Sequence, residues 1–205
     1  MIPYEFDAER FSRWMAYVLR HNPTRYGLTP DRHGYVDLKQ FLALAKRRYQ
    51  TFVSEEFQQI IESSGSGRFE VSGNRLRARY GHSIPVEPLG PPIEPPARLY
   101  HGTQAAYTAT ISAEGLNPVH RRFLHLSETV QDALAIAQRS SDQPAVWCVF
   151  AREAHENGTS FYREGKVYLA ACLAALFLKL EELPGPTEVA PSHPLAGQLD
   201  GEVNE

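Results

Sequence analysis

Residues 69–80, FEVSGNRLRARY, decide the fold of the N-terminal part of the chain. Apolar and polar residues alternate on both sides of Gly73-Asn74, a pair that is typical of tight hairpin turns. A period of two places successive side chains on opposite faces of a strand. We therefore predict a β-hairpin that turns at Gly73-Asn74.

Three segments before this hairpin have the period of helices. In residues 11–19 the apolar side chains recur at i, i+3, i+4, i+7 and i+8, and Asn22-Pro23 ends the segment. Asp37 is predicted to cap a second helix in a capping box with Gln40, and Ser54 to cap a third. Three helices followed by a hairpin are typical of a winged-helix module.

A proline-rich segment follows. Six of the 15 prolines lie in residues 85–96, which excludes a helix or a central strand there and predicts a stiff, extended linker. The last residues are rich in Pro, Ser, Gly and Glu and lack aromatic side chains, which predicts a disordered tail. The predicted organisation is residues 1–84, a linker at 85–97, a second domain at 98–183 and an acidic tail at 184–205.

The second domain mixes short strands and helices. Helices are predicted over residues 105–114 and 129–140, and strands over 145–150 and 167–169. This pattern predicts an α+β domain, and the fold class of the whole chain is α+β.

The net charge of −3 conceals an asymmetry. Residues 1–92 carry a net charge of +3 and residues 93–205 a net charge of −6, so the N-terminal part is arginine-rich. The two cysteines form no CxxC pair, which disfavours a disulfide scaffold or a thiolate zinc site. The longest apolar run is too short to cross a membrane, and no secretory signal is recognisable. We expect a cytoplasmic, soluble protein.

Cations near the first helix and in the hairpin are the first candidate site residues. Arg20-His21 stands at the end of the first helix, where it either caps the helix or binds a phosphate. Arg75, Arg77 and Arg79 alternate, so they share one face of a strand. Such a row is either solvated or binds a polyanion.

Short polar strings in the second domain are the next candidates. His101-Gly102-Thr103 follows a predicted strand, and its glycine allows close approach to a ligand. Ser127, after His125, either caps the next helix or contacts a ligand, and Arg139 stands near the end of that helix. No phosphate-binding glycine loop and no metal-ligand spacing occurs in the sequence, so no metal is expected.

Taken together and in order, these strings resemble the RNA 2'-phosphotransferase family. The resemblance runs from about residue 11 to residue 178. It rests on VLRHNP at 18–23, GYVD at 34–37, LRARYGHS at 76–83, LYHGT at 99–103, LHLS at 124–127, and Arg139.

The resemblance implies an N-terminal winged-helix lobe joined to a C-terminal ADP-ribosyltransferase-like lobe. It implies that NAD is a co-substrate and that the partner is RNA carrying a 2'-phosphate. The implied catalytic residues are Arg20, His21, Arg77 and Arg139. The residues expected to bind NAD are His101, Gly102, Thr103, His125 and Ser127. Those expected to bind RNA are Arg75, Arg79 and His82.

The family's chemistry has two steps. The RNA 2'-phosphate displaces nicotinamide from NAD, and a ribose hydroxyl then attacks the phosphorus. The products are RNA with a 2'-hydroxyl, nicotinamide and ADP-ribose 1'',2''-cyclic phosphate. The sequence departs from the family pattern at Arg122, Gln138, Tyr168 and Ala170.

Two alternative functions stay open. One is an ADP-ribosyltransferase that modifies a nucleic-acid phosphate end or a protein and stops after the first step. The other is a non-catalytic winged-helix protein that binds nucleic acid. We expect a monomer.

Overall fold

The computed structural model describes residues 7–49, 54–63 and 67–183. The N-terminal part contains three α-helices, a short 3-10 helix at Thr24–Tyr26 and a small antiparallel sheet. The bounds are α1 Ala8–His21, α2 Leu38–Arg48, α3 Ser54–Ser63, β1 Val36–Asp37, β2 Phe69–Ser72 and β3 Arg75–Ala78. The strand order is β1-β3-β2, and Ser72 pairs with Arg75 across the turn, so the predicted hairpin is confirmed.

Helix α1 carries the first candidate residues. It begins after Asp7, whose side chain accepts the backbone N–H of Arg10 at 2.8 Å, and it ends at His21, directly before the predicted stop at Asn22-Pro23. Burial of each large apolar side chain contributes about 1.5–3 kcal/mol. Because this apolar face packs into the core, the last turn is fixed in place. The buried residues are Phe11, Trp14, Met15, Val18 and Leu19.

Helix α2 is joined to the hairpin through its cap. The Asp37 carboxylate accepts the backbone N–H of Gln40 at 2.8 Å, which confirms the predicted role of Asp37. Its other oxygen accepts a hydrogen bond from the Asn74 side chain at 2.6 Å. The helix start and the hairpin turn are therefore held by one carboxylate.

The C-terminal part contains three helices and two further antiparallel sheets. Short 3-10 helices lie at Ala105–Tyr107 and Ala175–Phe177. The bounds are β4 Leu99–Gln104, α4 Thr108–Glu114, β5 Leu124–Leu126, α5 Val130–Gln138, β6 Pro144–Val149, α6 Ala151–Glu156, β7 Phe161–Glu164, β8 Val167–Ala170 and β9 Leu178–Leu180. The strand orders are β4-β6-β9 and β5-β8-β7. The helix predicted over 105–114 corresponds to the 3-10 helix Ala105–Tyr107 followed by α4, and the helix predicted over 129–140 corresponds to α5. The strands predicted over 145–150 and 167–169 correspond to β6 and β8. The sequence analysis missed β1, β5, β7, β9 and α6.

The two C-terminal sheets meet where β4 begins. Tyr100 and Ser127 form an isolated bridge in which each backbone N–H donates to the other's carbonyl, at 2.9 and 2.8 Å. One buried apolar cluster contains residues from 11 to 78, and a second contains residues from 99 to 177. The predicted domain boundaries stay a prediction.

The proline-rich segment forms no helix and takes part in a single β-bridge. The Glu87 N–H donates to the Arg32 carbonyl at 2.8 Å, on the N-terminal side. The Ile93 N–H donates to the Phe161 carbonyl at 2.7 Å, on the C-terminal side. The segment is therefore bonded to both parts of the molecule.

The chain is a mixed α and β protein with small antiparallel sheets. The winged-helix and ADP-ribosyltransferase assignments stay predictions, and the predicted tail at 184–205 lies outside the described residues. Within the described ranges no helix is long and apolar enough to cross a membrane. In those same ranges no group of three or more His, Cys, Asp or Glu residues is placed to hold a metal ion.

Candidate active site

The candidate site forms where three distant parts of the chain meet. The backbone N–H of Ser83, after β3, donates to the carbonyl of Arg20 at the end of α1, at 3.1 Å. The backbone N–H of Arg122, before β5, donates to the carbonyl of His82 at 3.0 Å. These two bonds bring the strings around residues 20, 82 and 125 together.

Arg20 is the central cation of this site. Its Nε and Nη2 atoms are buried and have no hydrogen-bond partner in the described part of the chain. Its guanidinium carbon lies 5.1 Å from the centre of the Tyr80 ring, a cation–π contact. Burial lowers the pKa of Arg20 to about 10, with Tyr80 opposing this and Arg121 adding to it. Arg20 remains charged at neutral pH.

Gly81 makes room for the Arg20 side chain. Its φ of +89° lies in the region that favours glycine. A Cβ atom at this position would lie 3.2 Å from three atoms of the Arg20 side chain. The glycine in the string after β3 thus lets the backbone pass close beside the guanidinium.

His21 is held beside Arg20 by a side-chain hydrogen bond. Its Nδ1 atom lies 2.9 Å from the hydroxyl oxygen of Ser83. Burial, and then the charges of Arg20 and Arg121, lower the pKa of His21. The ring is therefore neutral at neutral pH, so it is able to accept a proton.

Two further histidines face the same positive charges. Burial, followed by the charge of Arg20, lowers the pKa of His82 to about 3. Burial, followed by the charges of Arg121 and Arg20, lowers the pKa of His125 to about 3. The Nε2 atoms of both rings are buried with no hydrogen-bond partner among the described residues.

The protonation of His125 follows from its neighbours. Arg121 lies with Nη1 3.1 Å from Nδ1 of His125, and an arginine can only donate. The neutral ring therefore carries its proton on Nε2, which is the buried atom without a partner. Among the described residues the site thus offers an unused N–H donor on His125 and two guanidinium nitrogens of Arg20 without a partner, which favour an oxygen-rich, anionic ligand.

Arg77 lies in a different environment. Its side chain is 2% exposed, and its Nε donates to Glu70 at 2.8 Å. Nη1 and Nη2 donate to the two oxygens of Glu164, at 3.1 and 2.7 Å. Burial would lower the pKa of Arg77, but Glu164 and then Glu70 raise it. All three guanidinium nitrogens face carboxylate oxygens.

The other two arginines of the row are also paired. Arg75 is exposed, with Nη1 3.6 Å from Asp31 and its guanidinium carbon 4.5 Å from the centre of the Tyr35 ring. Arg79 is 31% exposed, with Nε 3.9 Å from Glu70. Arg75 and Arg77 belong to β3 and Arg79 follows it directly, and the charge of each is partly balanced by an acid.

The residues expected to bind NAD lie in β4, in β5 and directly after β5. His101-Gly102-Thr103 was expected to follow a strand but forms part of β4 itself, because the strand continues to Gln104. The ring of His101 donates through Nδ1 to the carbonyl of His125 at 3.0 Å, which ties the two strands together. A Cβ atom on Gly102 would overlap the backbone carbonyl of Ala133, so this glycine lets α5 pack on β4. Thr103 follows it in β4, and Ser127 is buried beside Tyr100.

Most of the chain is similar to one known family of proteins. The model of the RNA 2'-phosphotransferase, Tpt1 / KptA family, matches residues 7–171. The chain belongs to this family. A probable RNA 2'-phosphotransferase of Lacticaseibacillus paracasei is 39% identical over 171 residues, covering 82% of this chain and 91% of the relative. One of Acetivibrio thermocellus is 35% identical, covering 85% and 98%, and one of Thermococcus kodakarensis is 36% identical, covering 78% and 89%.

Arg139 is the last of the four catalytic residues expected from the 2'-phosphotransferase family, and it is more exposed than Arg20, His21 and Arg77. Arg139 is the C-cap residue of α5, and its side chain is exposed. In the described ranges it forms no hydrogen bond or ion pair through that side chain. Arg20 and His21 are adjacent, Arg77 is locked in ion pairs, and Arg139 stands at the end of another helix. The roles of all four stay predictions.

The departures from the 2'-phosphotransferase pattern lie in ordinary structural positions. Arg122 binds the His82 carbonyl through its backbone, and Gln138 is the exposed last residue of α5. The Tyr168 hydroxyl donates to Glu128 at 2.9 Å, and burial is the main cause that raises the pKa of Tyr168. Ala170 is buried in β8.

Sequence reasoning missed two residues of this region. Arg121 adds a cation beside His125, and its signal was a pair of arginines directly before the strand that carries this histidine. Glu164 holds Arg77, and no local pattern points to it because the two are 87 positions apart.

Proposed function

We propose that the chain is an NAD-dependent RNA 2'-phosphotransferase. It would transfer an internal RNA 2'-phosphate to NAD and release 2'-hydroxyl RNA, nicotinamide and ADP-ribose 1'',2''-cyclic phosphate. The observation that carries this proposal is the buried guanidinium of Arg20, whose Nε and Nη2 have no partner in the described residues. A buried cation without a carboxylate is costly, and an anionic substrate would offset that cost. Family membership supports phosphoryl transfer as the chemistry.

Arg20 and His21 are proposed to receive the 2'-phosphate. Arginine offers a planar fork of donors that matches phosphate oxygens. The neighbouring ring of His21 is neutral at neutral pH because its pKa is lowered. It is therefore suited to take a proton from the ribose hydroxyl that attacks phosphorus. Arg20 would stabilise the charge that develops on the phosphoryl oxygens.

The fit to NAD rests on His125. Its Nε2–H donor is buried without a partner in the described ranges, and a ribose or phosphate oxygen would satisfy it. His101, Gly102, Thr103 and Ser127 are proposed to hold the rest of the co-substrate along β4 and its bridge to residue 127. NAD supplies the ribose carbon that receives the phosphate, and nicotinamide as the leaving group.

Several further features belong to this proposal. The N-terminal part would be a winged-helix lobe and the C-terminal part an ADP-ribosyltransferase-like lobe, joined at residues 85–97. Arg75, Arg79 and His82 would contact RNA, and Arg77 and Arg139 would support the chemistry. The protein would act in the cytoplasm, as a monomer and without a metal.

The deciding experiment supplies NAD and a short RNA with one internal 2'-phosphate. We expect nicotinamide, 2'-hydroxyl RNA and ADP-ribose 1'',2''-cyclic phosphate in equal amounts, also in the presence of a chelator. The same RNA without its 2'-phosphate is the control and should release no nicotinamide. A stable conjugate of RNA with ADP-ribose would indicate an ADP-ribosyltransferase instead. RNA binding with no release of nicotinamide would indicate a non-catalytic binding protein.

A further inference from the structure

A second buried arginine, Arg77, joins the two parts of the molecule through an ion pair. Glu164 is the last residue of β7 in the C-terminal part, and its side chain is 3% exposed. It faces Arg77 of β3, which is 2% exposed, and the two side chains meet fork to fork. Two charged groups this deeply buried are uncommon unless they are paired.

The proline-rich segment shares the same carboxylate. The backbone N–H of Leu89 donates to Glu164 Oε1 at 3.0 Å, beside the bond from Arg77 Nη1. On the other side of Arg77, Glu70 of β2 accepts the Nε–H at 2.8 Å. The Glu164 carboxylate thus connects β7, to which it belongs, with β3 and with the segment at 85–97.

Arg77 and Glu164 each lie on a strand that is connected to the candidate site. The chain leaves β3 through Tyr80 and Gly81, which pack on Arg20. On the other side, β7 pairs with β8, and β8 pairs with β5, where Leu169 lies opposite His125. The distance between Arg20 and His125 therefore depends on how β3 is held against the sheet of β7.

Stability alone does not explain such a pair. Removing two charges from water costs about as much as their attraction returns, so apolar residues of equal volume often serve equally well. What the ion pair adds is geometry, because a fork-to-fork contact fixes both distance and orientation. Arg77 donates through all three of its guanidinium nitrogens to two carboxylates, so its orientation is set by contacts within the chain.

We propose that Glu164 is a positioning residue of the transfer reaction. It holds Arg77 and so fixes the half of the site around Arg20 against the half around His125. Arg77 then acts from within the ion pair, as the anchor of β3. This inference rests on the proposed function, since its effect is on the step that needs both substrates at once.

The test compares Glu164→Gln with Glu94→Gln as a matched control. Glu94 also pairs with an arginine, at 2.9 Å from Arg152, but both side chains are about half-exposed or more and neither belongs to β3. Misplacing reacting groups by about 1 Å can reduce a rate about 100-fold. We expect kcat to fall by about that factor in Glu164→Gln, and to stay within about twofold in Glu94→Gln.

The readout that separates positioning from folding is binding of each substrate alone. The Kd for 2'-phosphorylated RNA without NAD, and for NAD without RNA, should each change less than about threefold in Glu164→Gln, because each half of the site stays intact. Glu164→Asp keeps the charge on a shorter side chain and should have an intermediate kcat. It also serves as the test variant if Glu164→Gln does not fold.

The outcomes are distinguishable. If the wild-type protein releases no nicotinamide from NAD with 2'-phosphorylated RNA, the proposed function is wrong. If it does so and kcat of Glu164→Gln equals that of the control, the positioning role is wrong. The positioning role is also wrong if either Kd rises as much as kcat falls, since that pattern shows damage to a binding site rather than to the placement of one site against the other.

Discussion

Arg20 and Arg77 are both arginines with buried nitrogens, and the sequence suggested phosphate binding for both. Their surroundings are opposite. Arg20 has an aromatic ring beside it, two buried nitrogens without a partner in the described ranges, and another cation, Arg121, as a charged neighbour. Arg77 has a carboxylate at each nitrogen.

The two residues show that a buried arginine can have two different roles. A buried charge that is fully paired has its partners in the folded chain and contributes to the arrangement of that chain. A buried charge without a partner is stabilised only when a ligand supplies the opposite charge. We therefore expect loss of Arg77 to act on stability and geometry, and loss of Arg20 to act on the substrate.

The largest effect is expected for Arg77→Ala. It leaves the buried Glu164 without its cation and removes one of the two arginines that pair with the half-buried Glu70, which should lower the free energy of unfolding by about 3–5 kcal/mol. Chemical denaturation measures this. The double variant Arg77→Met with Glu164→Leu should recover part of the loss because it removes both members of the buried pair. A loss below about 1 kcal/mol in Arg77→Ala would contradict the comparison.

Arg20→Ala should act on activity instead. Removing one cation aimed at developing charge typically lowers the rate about 10²–10³-fold. The free energy of unfolding should change by no more than about 1 kcal/mol, since only a cation–π contact is lost. Steady-state kinetics with 2'-phosphorylated RNA and NAD, together with denaturation, check both parts.

The control for this variant is Arg13→Ala, on the same helix. Arg13 is 67% exposed and pairs at 3.5 Å with the exposed Glu9. We expect its kcat and stability to match the wild type, because exposed pairs contribute little. Equal losses of activity in Arg13→Ala and Arg20→Ala would show that helix α1, rather than the unpaired guanidinium, matters.

The pH dependence of stability tests whether the histidines near Arg20 are uncharged in the folded chain. His82 and His125 have a pKa of about 3 in the folded chain, against about 6.5 when unfolded. As the pH falls below 6.5 the unfolded state takes up protons that the folded state does not, so stability falls. Each ring should lower the free energy of unfolding by about 2 kcal/mol when the pH falls from 7.5 to 5.

Denaturation at those two pH values measures the loss. His125→Gln keeps a donor but does not titrate, so it should remove about half of the pH dependence contributed by these two rings. An unchanged pH dependence in that variant would mean that His125 is not held neutral by its burial and by the cations around it.

The smallest effect is expected for Arg75→Ala. Its ion pair with Asp31 is exposed, so the free energy of unfolding should change by less than about 1 kcal/mol. If Arg75 contacts an RNA phosphate, RNA affinity weakens and the salt dependence of binding decreases by about one phosphate contact. An unaltered salt dependence would remove Arg75 from the RNA interface.

Much of the fold was accessible from local sequence. The period of residues 11–19, the cap at Asp37 and the turn at Gly73-Asn74 each depend on side chains a few positions apart, and the structure has all three. Strands as short as β1 and β5 were missed, because two or three residues carry no measurable period. Their pairing depends on partners elsewhere in the chain.

The sequence identified several residues of the candidate site, but it did not predict their burial or their contacts. Arg20, His21 and His82 were singled out from strings, and the structure brings them together through the Ser83 and Arg122 backbone bonds. Arg139 was singled out in the same way and stands exposed at the end of α5.

The sequence by itself determined the order of the helices, the hairpin and the family strings, because these depend on neighbouring residues. It presented Arg75, Arg77 and Arg79 as one equivalent row. Only the tertiary structure decided that Arg77 is buried against Glu164, 87 positions away, while Arg20 keeps unpaired nitrogens. The physical reason is that the state of a charge depends on its burial and on the charges around it, and both are set by contacts between distant parts of the chain.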